Sequence, residues 1–236
     1  MRAVFKREMQ SFFLTPAAYV FMGVFLALSG IFFIQGNLLP RSGDLTGLIA
    51  MLGYLWMLLS PVLAMRLMAE ERYRKTDQLL FSSPVSLTGV VCGKFLAAAA
   101  VLLCTVGCTF LYALIVAVYG KLYVAEVAVS YLGLVLLGLS FLALDLFVSC
   151  FAKTQMTAVM LGFGVNLLLW LSDLAAAAAG EGLIKSVLSF LSLYQRFVPF
   201  TQGLLSFSNV LFNVLFVGLM LFLSVRVLDA RRWSEA

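Results

Sequence analysis

Residues 95–120 read FLAAAAVLLCTVGCTFLYALIVAVYG, an uncharged run bounded by Lys94 and Lys121. A helix crossing the hydrocarbon core of a bilayer needs about 20 predominantly apolar residues. A segment this long, and apolar on every side, reads as a span and not as a buried helix of a soluble core. Five further charge-poor runs surround it. They are Met9–Pro40 (densest from Ala17 to Ile34), Leu45–Met65, Val127–Ala152 with Asp145 inside it, Gln155–Ala179, and a last run from near Asn209 to Val225. The fold class expected is all-α, a polytopic membrane protein with six transmembrane helices. The first run is too long for a signal peptide, and Ile31-Phe32-Phe33-Ile34 lacks the small residues of a cleavage site, so it is expected to stay as a span.

Composition agrees. The 236 residues are 63% hydrophobic and only 11% charged, against about 25% charged in soluble domains. Mean hydropathy is +1.07. A cytosolic enzyme, a nucleic-acid binder and a disordered chain are all poor fits. There is no histidine, which removes histidine acid–base chemistry and histidine metal ligation together.

Six spans put both termini on one side. That side holds Arg2, Lys6, Arg7, Arg66, Arg72, Arg74, Lys75, Lys94, Lys153, Arg226, Arg231 and Arg232, leaving Arg41, Lys121, Lys185 and Arg196 of the 16 basic residues for the other. Basic residues accumulate in cytoplasmic loops, so the richer side is expected to be cytoplasmic. The net charge of +5 then reads as a headgroup and topology signal, with membrane lipid and not nucleic acid as the partner.

Three stretches lie outside the spans. Phe5, Met9, Phe12 and Phe13 fall at helical spacing, which predicts an amphipathic N-terminal helix over residues 1–15 in the cytoplasmic interface. Residues 66–88 carry the densest charge. Glu70 with Arg74 and Glu71 with Lys75 are i,i+4 pairs in the order that favours a helix, followed by Leu79-Leu80-Phe81. That combination suits a surface for a soluble partner, and equally an ordinary solvated loop. Residues 180–208 are rich in Leu and Phe, too short in each run to span, and punctuated by Pro199 and Gly203. Two short helices dipping into the outer leaflet are expected there.

Little catalytic chemistry is visible. Gly89-Val90-Val91-Cys92-Gly93-Lys94 has three residues between its glycines and Phe95 after the lysine, so it is not a phosphate-binding loop. Lys94 is expected to snorkel to the headgroups. Cys92, Cys104, Cys108 and Cys150 read as small packing residues. Asp145 falls inside the hydrocarbon, and Asn166 near the middle of span five, so the two are candidates for an intramembrane polar site. No metal site and no catalytic residue are expected. A transport role would need an external motor.

The stretch Pro61…Met65-Arg66…Ala69-Glu70-Glu71…Thr76…Leu79-Leu80…Ser83-Pro84-Val85…Gly93-Lys94-Phe95, with the ending Phe222-Leu223-Ser224-Val225-Arg226…Arg231-Arg232-Trp233, resembles the ABC-2 type transporter permeases. The resemblance covers essentially all of residues 1–236, as one transmembrane domain. It is nearest in pattern to the gliding-motility-associated permease group, which is similar to the permeases of copper-enzyme maturation systems. It implies an inner-membrane exporter subunit with a cytoplasmic coupling helix at about Glu70–Pro84 and a re-entrant hairpin at about Leu183–Phe207. It further implies pairing as a homodimer or heterodimer and binding to separate ABC ATP-binding subunits that hold ATP and Mg; the long apolar helices also permit work on an auxiliary periplasmic subunit as a further partner. By the same resemblance Glu70, Glu71, Arg72, Arg74, Thr76, Asp77, Leu79, Leu80 and Pro84 would meet the ATPase, and this chain would bind no cofactor. The family often has Gly-Thr and an acid before its Leu-Leu pair, where this chain has Lys75-Thr76-Asp77-Gln78.

Two other functions fit the same residues. A membrane scaffold would recruit a cytoplasmic partner and transport nothing. A secondary carrier would use Asp145.

Overall fold

The computed structural model describes residues 2–73, 86–119, 123–178 and 192–234. Among them every regular element is helical. The helices are α1 (Arg2–Leu14), α2 (Pro16–Phe33) continued by a π-helical turn (Ile34–Leu38), α3 (Thr46–Ala64), α4 (Ala69–Tyr73), α5 (Leu87–Tyr119), α6 (Val124–Ser149), α7 (Gln155–Ala178), α8 (Leu193–Thr201) and α9 (Phe207–Ser234). Six stretches are long and apolar enough to cross a membrane: Pro16–Leu38, Thr46–Tyr73, Leu87–Tyr119, Val124–Ser149, Gln155–Ala175 and Phe207–Arg231. The six-span, all-α expectation therefore holds.

Local chemistry sets several boundaries. Thr15 is extended (φ −98, ψ 149) and Pro16 opens α2, where its missing N–H costs no hydrogen bond. The Phe12 face of α1 turns inward. Phe12 is buried in the main core, with Phe5, Met9 and Phe13 packed against that core, and α1 lies on α5 and α2.

At 33 residues, α5 is about 50 Å long at ~1.5 Å per residue, well beyond a ~30 Å hydrocarbon core. The helix begins at Leu87, so Lys94 sits inside it and not at its start. This corrects the snorkelling reading: Lys94 is 1% exposed.

The centre of the bundle is α6, which touches α3, α5, α7, α8 and α9. Helices in lipid gain nothing from hiding apolar surface from one another, so close packing across small residues dominates. Gly138 on α6 takes Leu102 of α5, and a Cβ there would lie 2.8 Å from Leu102 Cδ1. Trp56 of α3 is fully buried between Phe21 and Phe25 of α2, with ring centroids at 5.6 and 5.0 Å.

The short helix α8 is wedged against α6 and α3. Ser192 caps it by accepting from Gln195 N at 2.9 Å. Phe197 sits on Gly53 and Phe200 on Gly133, at glycines with no room for a Cβ. Of the first arm of the expected hairpin, Leu183–Tyr194, residues 183–191 lie outside the described residues.

Candidate functional site

After α3 the chain makes one turn and enters α4, so the charged segment continues directly from a span. Its acids are held by other helices. Glu71 Oε1 accepts from Arg7 of α1 at 2.7 Å and from Lys94 Nζ of α5 at 3.0 Å. The same Lys94 Nζ reaches Glu8 Oε1 at 3.2 Å, and Arg7 reaches Glu8 Oε1 at 3.0 Å. Two cations and two carboxylates thus alternate across α1, α4 and α5. A lysine as buried as Lys94 requires such partners, because an unpaired charge loses its hydration without compensation. The hydrogen bond to Glu8, more than any other contact, holds the Arg7 guanidinium above its ordinary pKa.

A second set of contacts flanks the first. Arg66 Nε pairs with Glu70 Oε2 at 3.1 Å, and Arg66 Nη1 donates to Thr15 Oγ1 at 2.8 Å. Arg72 Nη1 donates to the carbonyls of Ala152 at 3.1 Å and Phe151 at 3.4 Å, just past the end of α6, where helix carbonyls lack intrahelical donors. Of the residues expected to meet a partner, Glu70, Glu71 and Arg72 are therefore tied to the turn after α3, to α1 and α5, and to the end of α6. Arg74, Thr76, Asp77, Leu79, Leu80 and Pro84 lie outside the described residues, as does Lys75.

The intramembrane pair is brought together. Asp145 of α6 and Asn166 of α7 are 2% and 1% exposed. Asn166 Nδ2 lies 3.2 and 3.3 Å from the two Asp145 carboxyl oxygens and 3.0 Å from the carbonyl of Met57. Ser60 Oγ donates to Asp145 Oδ2. Pro61 lies inside α3 and has no N–H to give the carbonyl four residues earlier, which is that of Met57. Asn166 supplies the missing donor. Gly162 lets α7 approach this point: a Cβ there would lie 2.9 Å from Pro61 Cβ and 3.0 Å from Asp145 Oδ1.

Residues 45–227 match the family described as ABC-2 family transporter protein. The chain belongs to that family. It is thus a multi-pass, membrane-embedded permease component of an ABC transporter, of a kind that normally works with an ABC ATP-binding subunit. No curated protein matches the sequence.

In this ABC-2 protein the matched region takes in α3 to α8 and most of α9, hence Glu70, Glu71, Lys94, Asp145 and Asn166. The helices α1 and α2, with Arg7 and Glu8, precede it. Sequence reasoning missed Glu8, Ser60 and Met57 as site residues. For Glu8 there was no local signal, since its partner Lys94 is 86 residues away. For Met57 there was one: a proline four residues later in a span always leaves a carbonyl to be satisfied.

Proposed function

We propose that this ABC-2 transporter protein is the membrane subunit of an exporter driven by separate ABC ATP-binding subunits. It converts their ATP hydrolysis into export, or into mechanical work, across a bacterial inner membrane. Both termini face the cytoplasm, and ATP and Mg reside on the partner. Two permeases, identical or different, form the pore-bearing pair, joined where the system requires it by an auxiliary periplasmic subunit. The motif from Pro61 to Phe95 supports a likeness to the gliding-motility-associated and copper-maturation permeases. Residues 1–15 serve as an interfacial helix, 66–88 as the coupling loop and 180–208 as an outer-leaflet hairpin. In the coupling loop Glu70, Glu71, Arg72, Arg74, Thr76, Asp77, Leu79, Leu80 and Pro84 meet the ATPase.

One observation supports this reading above the others. The charged segment is an extension of α3, and its Glu71 is shared by Lys94 of α5 and Arg7 of α1. A push on the segment that follows is thereby delivered to three helices at once, and through Arg72 to the end of α6. In a scaffold the same ties would only neutralise Lys94 and hold the helices in place.

The test is the double neutralisation E70Q/E71Q, purified with its ATPase, because a lysine at position 71 would set a third cation against Arg7 and the buried Lys94. Insertion and ATP hydrolysis are expected to persist while transport is lost. Unchanged ATPase binding together with unchanged transport sinks the proposal, and a co-purifying partner that hydrolyses no ATP favours the scaffold.

A further inference from the structure

On the face of the bundle away from α1 and α4, a cleft of about 390 Å³ opens between the π-helical turn and the end of α5. That volume lies within the ~300–1,000 Å³ range of small-molecule sites. Its walls are apolar: Phe33 and Leu38 on one side, Ile115, Val116 and Tyr119 on the other. Phe33 is held from behind by Tyr112, stacked at 4.7 Å. Arg41 also lines it, with Asn37, Ser42 and Gly43 of the same loop.

Depth in the membrane gives this arrangement its meaning. The apolar stretch Pro16–Leu38 ends just below Arg41, and Tyr119 ends α5. The apolar walls therefore lie at acyl-chain depth. Arg41 lies at headgroup depth, near the level that terminal tyrosines favour.

The loop is built, not loose. Asn37 is buried, and its Nδ2 donates to the carbonyls of Ser42 at 3.1 Å and Asp44 at 2.8 Å. Arg41 adopts a left-handed backbone (φ 53), the only non-glycine residue to do so among those described, a conformation that costs energy and persists where surroundings enforce it. Its side chain is exposed. Among the described residues its guanidinium has no hydrogen-bond or ion-pair partner. An apolar slot with one uncompensated guanidinium at headgroup depth matches an amphiphile carrying an anionic phosphate.

We propose that the cleft holds one glycerophospholipid of that leaflet, its acyl chain between Phe33 and Val116 and its phosphodiester on Arg41. Arginine suits this task because its planar donors can take two phosphate oxygens together.

The test is lipid titration of the intact protein in detergent, read by native mass spectrometry, with dioleoyl phosphatidylglycerol and the phosphate-free dioleoylglycerol as probes. Phosphatidylglycerol is expected to bind as one Arg41-sensitive molecule. Arg41→Gln should weaken it about five-fold, the equivalent of the ~1 kcal/mol that a basic residue contributes near an anionic surface. Arg41→Lys should lose less. Dioleoylglycerol should bind the wild type no better than phosphatidylglycerol binds Arg41→Gln. Ile115→Trp, which fills the apolar wall without touching Arg41, should weaken both probes. Equal phosphatidylglycerol binding by wild type and Arg41→Gln overturns the proposal. So does full displacement of the lipid by millimolar inorganic phosphate, which would mark a plain anion site.

Discussion

Asn166 Nδ2 stands 3.0 Å from the carbonyl of Met57, the acceptor that Pro61 leaves without a helical donor. A side chain on α7 thus completes the hydrogen bonding of α3. Asn166→Leu removes this donor and the one facing Asp145, at a cost of about 1–3 kcal/mol for buried groups left unpaired. Pro61→Ala restores a backbone N–H to Met57. In that background Asn166→Leu should cost clearly less, and the non-additivity is the signature of a shared acceptor. Thermal unfolding of the four proteins in detergent checks it, and strict additivity would contradict the assignment.

Asp145→Asn separates an ATP-driven permease from a carrier. The carboxamide keeps the size of the side chain, and its oxygen in the place of Oδ2 still accepts from Ser60 Oγ and Asn166 Nδ2. Transport in vesicles containing the full complex should therefore continue, depend on ATP, and ignore an imposed pH gradient. If transport vanished in Asp145→Asn and the wild type ran on a pH gradient without ATP, the carrier reading would replace the present one.

The spans were legible because the property that makes them is local: some 20 consecutive residues without a charge. Lys94 shows where that reading stops. A lone charge next to an apolar run looks like a boundary. Here the helix passes straight through it, because Glu8 and Glu71 come from elsewhere to neutralise it. Asp145 and Asn166 were visible as polar residues at membrane depth, but their meeting depends on Gly162 letting α6 and α7 approach at Pro61, which no spacing rule encodes. The same holds for α8. Its apolar composition was plain, while its seat on Gly53 and Gly133 is a property of three helices together.

That seat makes a sharp prediction. A Cβ on Gly133 would overlap Phe200 at its Cβ and Cγ, atoms too near the backbone of α8 to swing away. Gly133→Ala should cost about 1–3 kcal/mol through overpacking and should open residues 202–206 to protease. Gly164 is the control, because nothing lies within 4 Å of its hypothetical Cβ. Gly164→Ala should be neutral, or stabilising by up to about 1 kcal/mol through helix propensity. Similar melting temperatures and cleavage for the two variants would show that α8 is not seated by Gly133.

Lys94 carries the last prediction. Lys94→Met removes the buried amine that Glu8 and Glu71 share, and the Arg7 that also reaches both is itself 62% exposed. Breaking one member of a buried ion network costs about 3–5 kcal/mol. The two carboxylates retain 12% and 14% exposure, so about 2–3 kcal/mol is expected here. The triple variant E8Q/E71Q/K94M removes both carboxylate charges along with the amine and should recover most of that stability. It should not recover coupling. The complex is expected to fold, bind its ATPase and hydrolyse ATP, yet transport little, because the ion pairs from α4 to α1 and α5 are gone. If the triple variant transports as well as the wild type, the network serves only to hold a helix in place, and the push from the ATPase reaches the spans by way of α3 and the Arg72 contact at the end of α6.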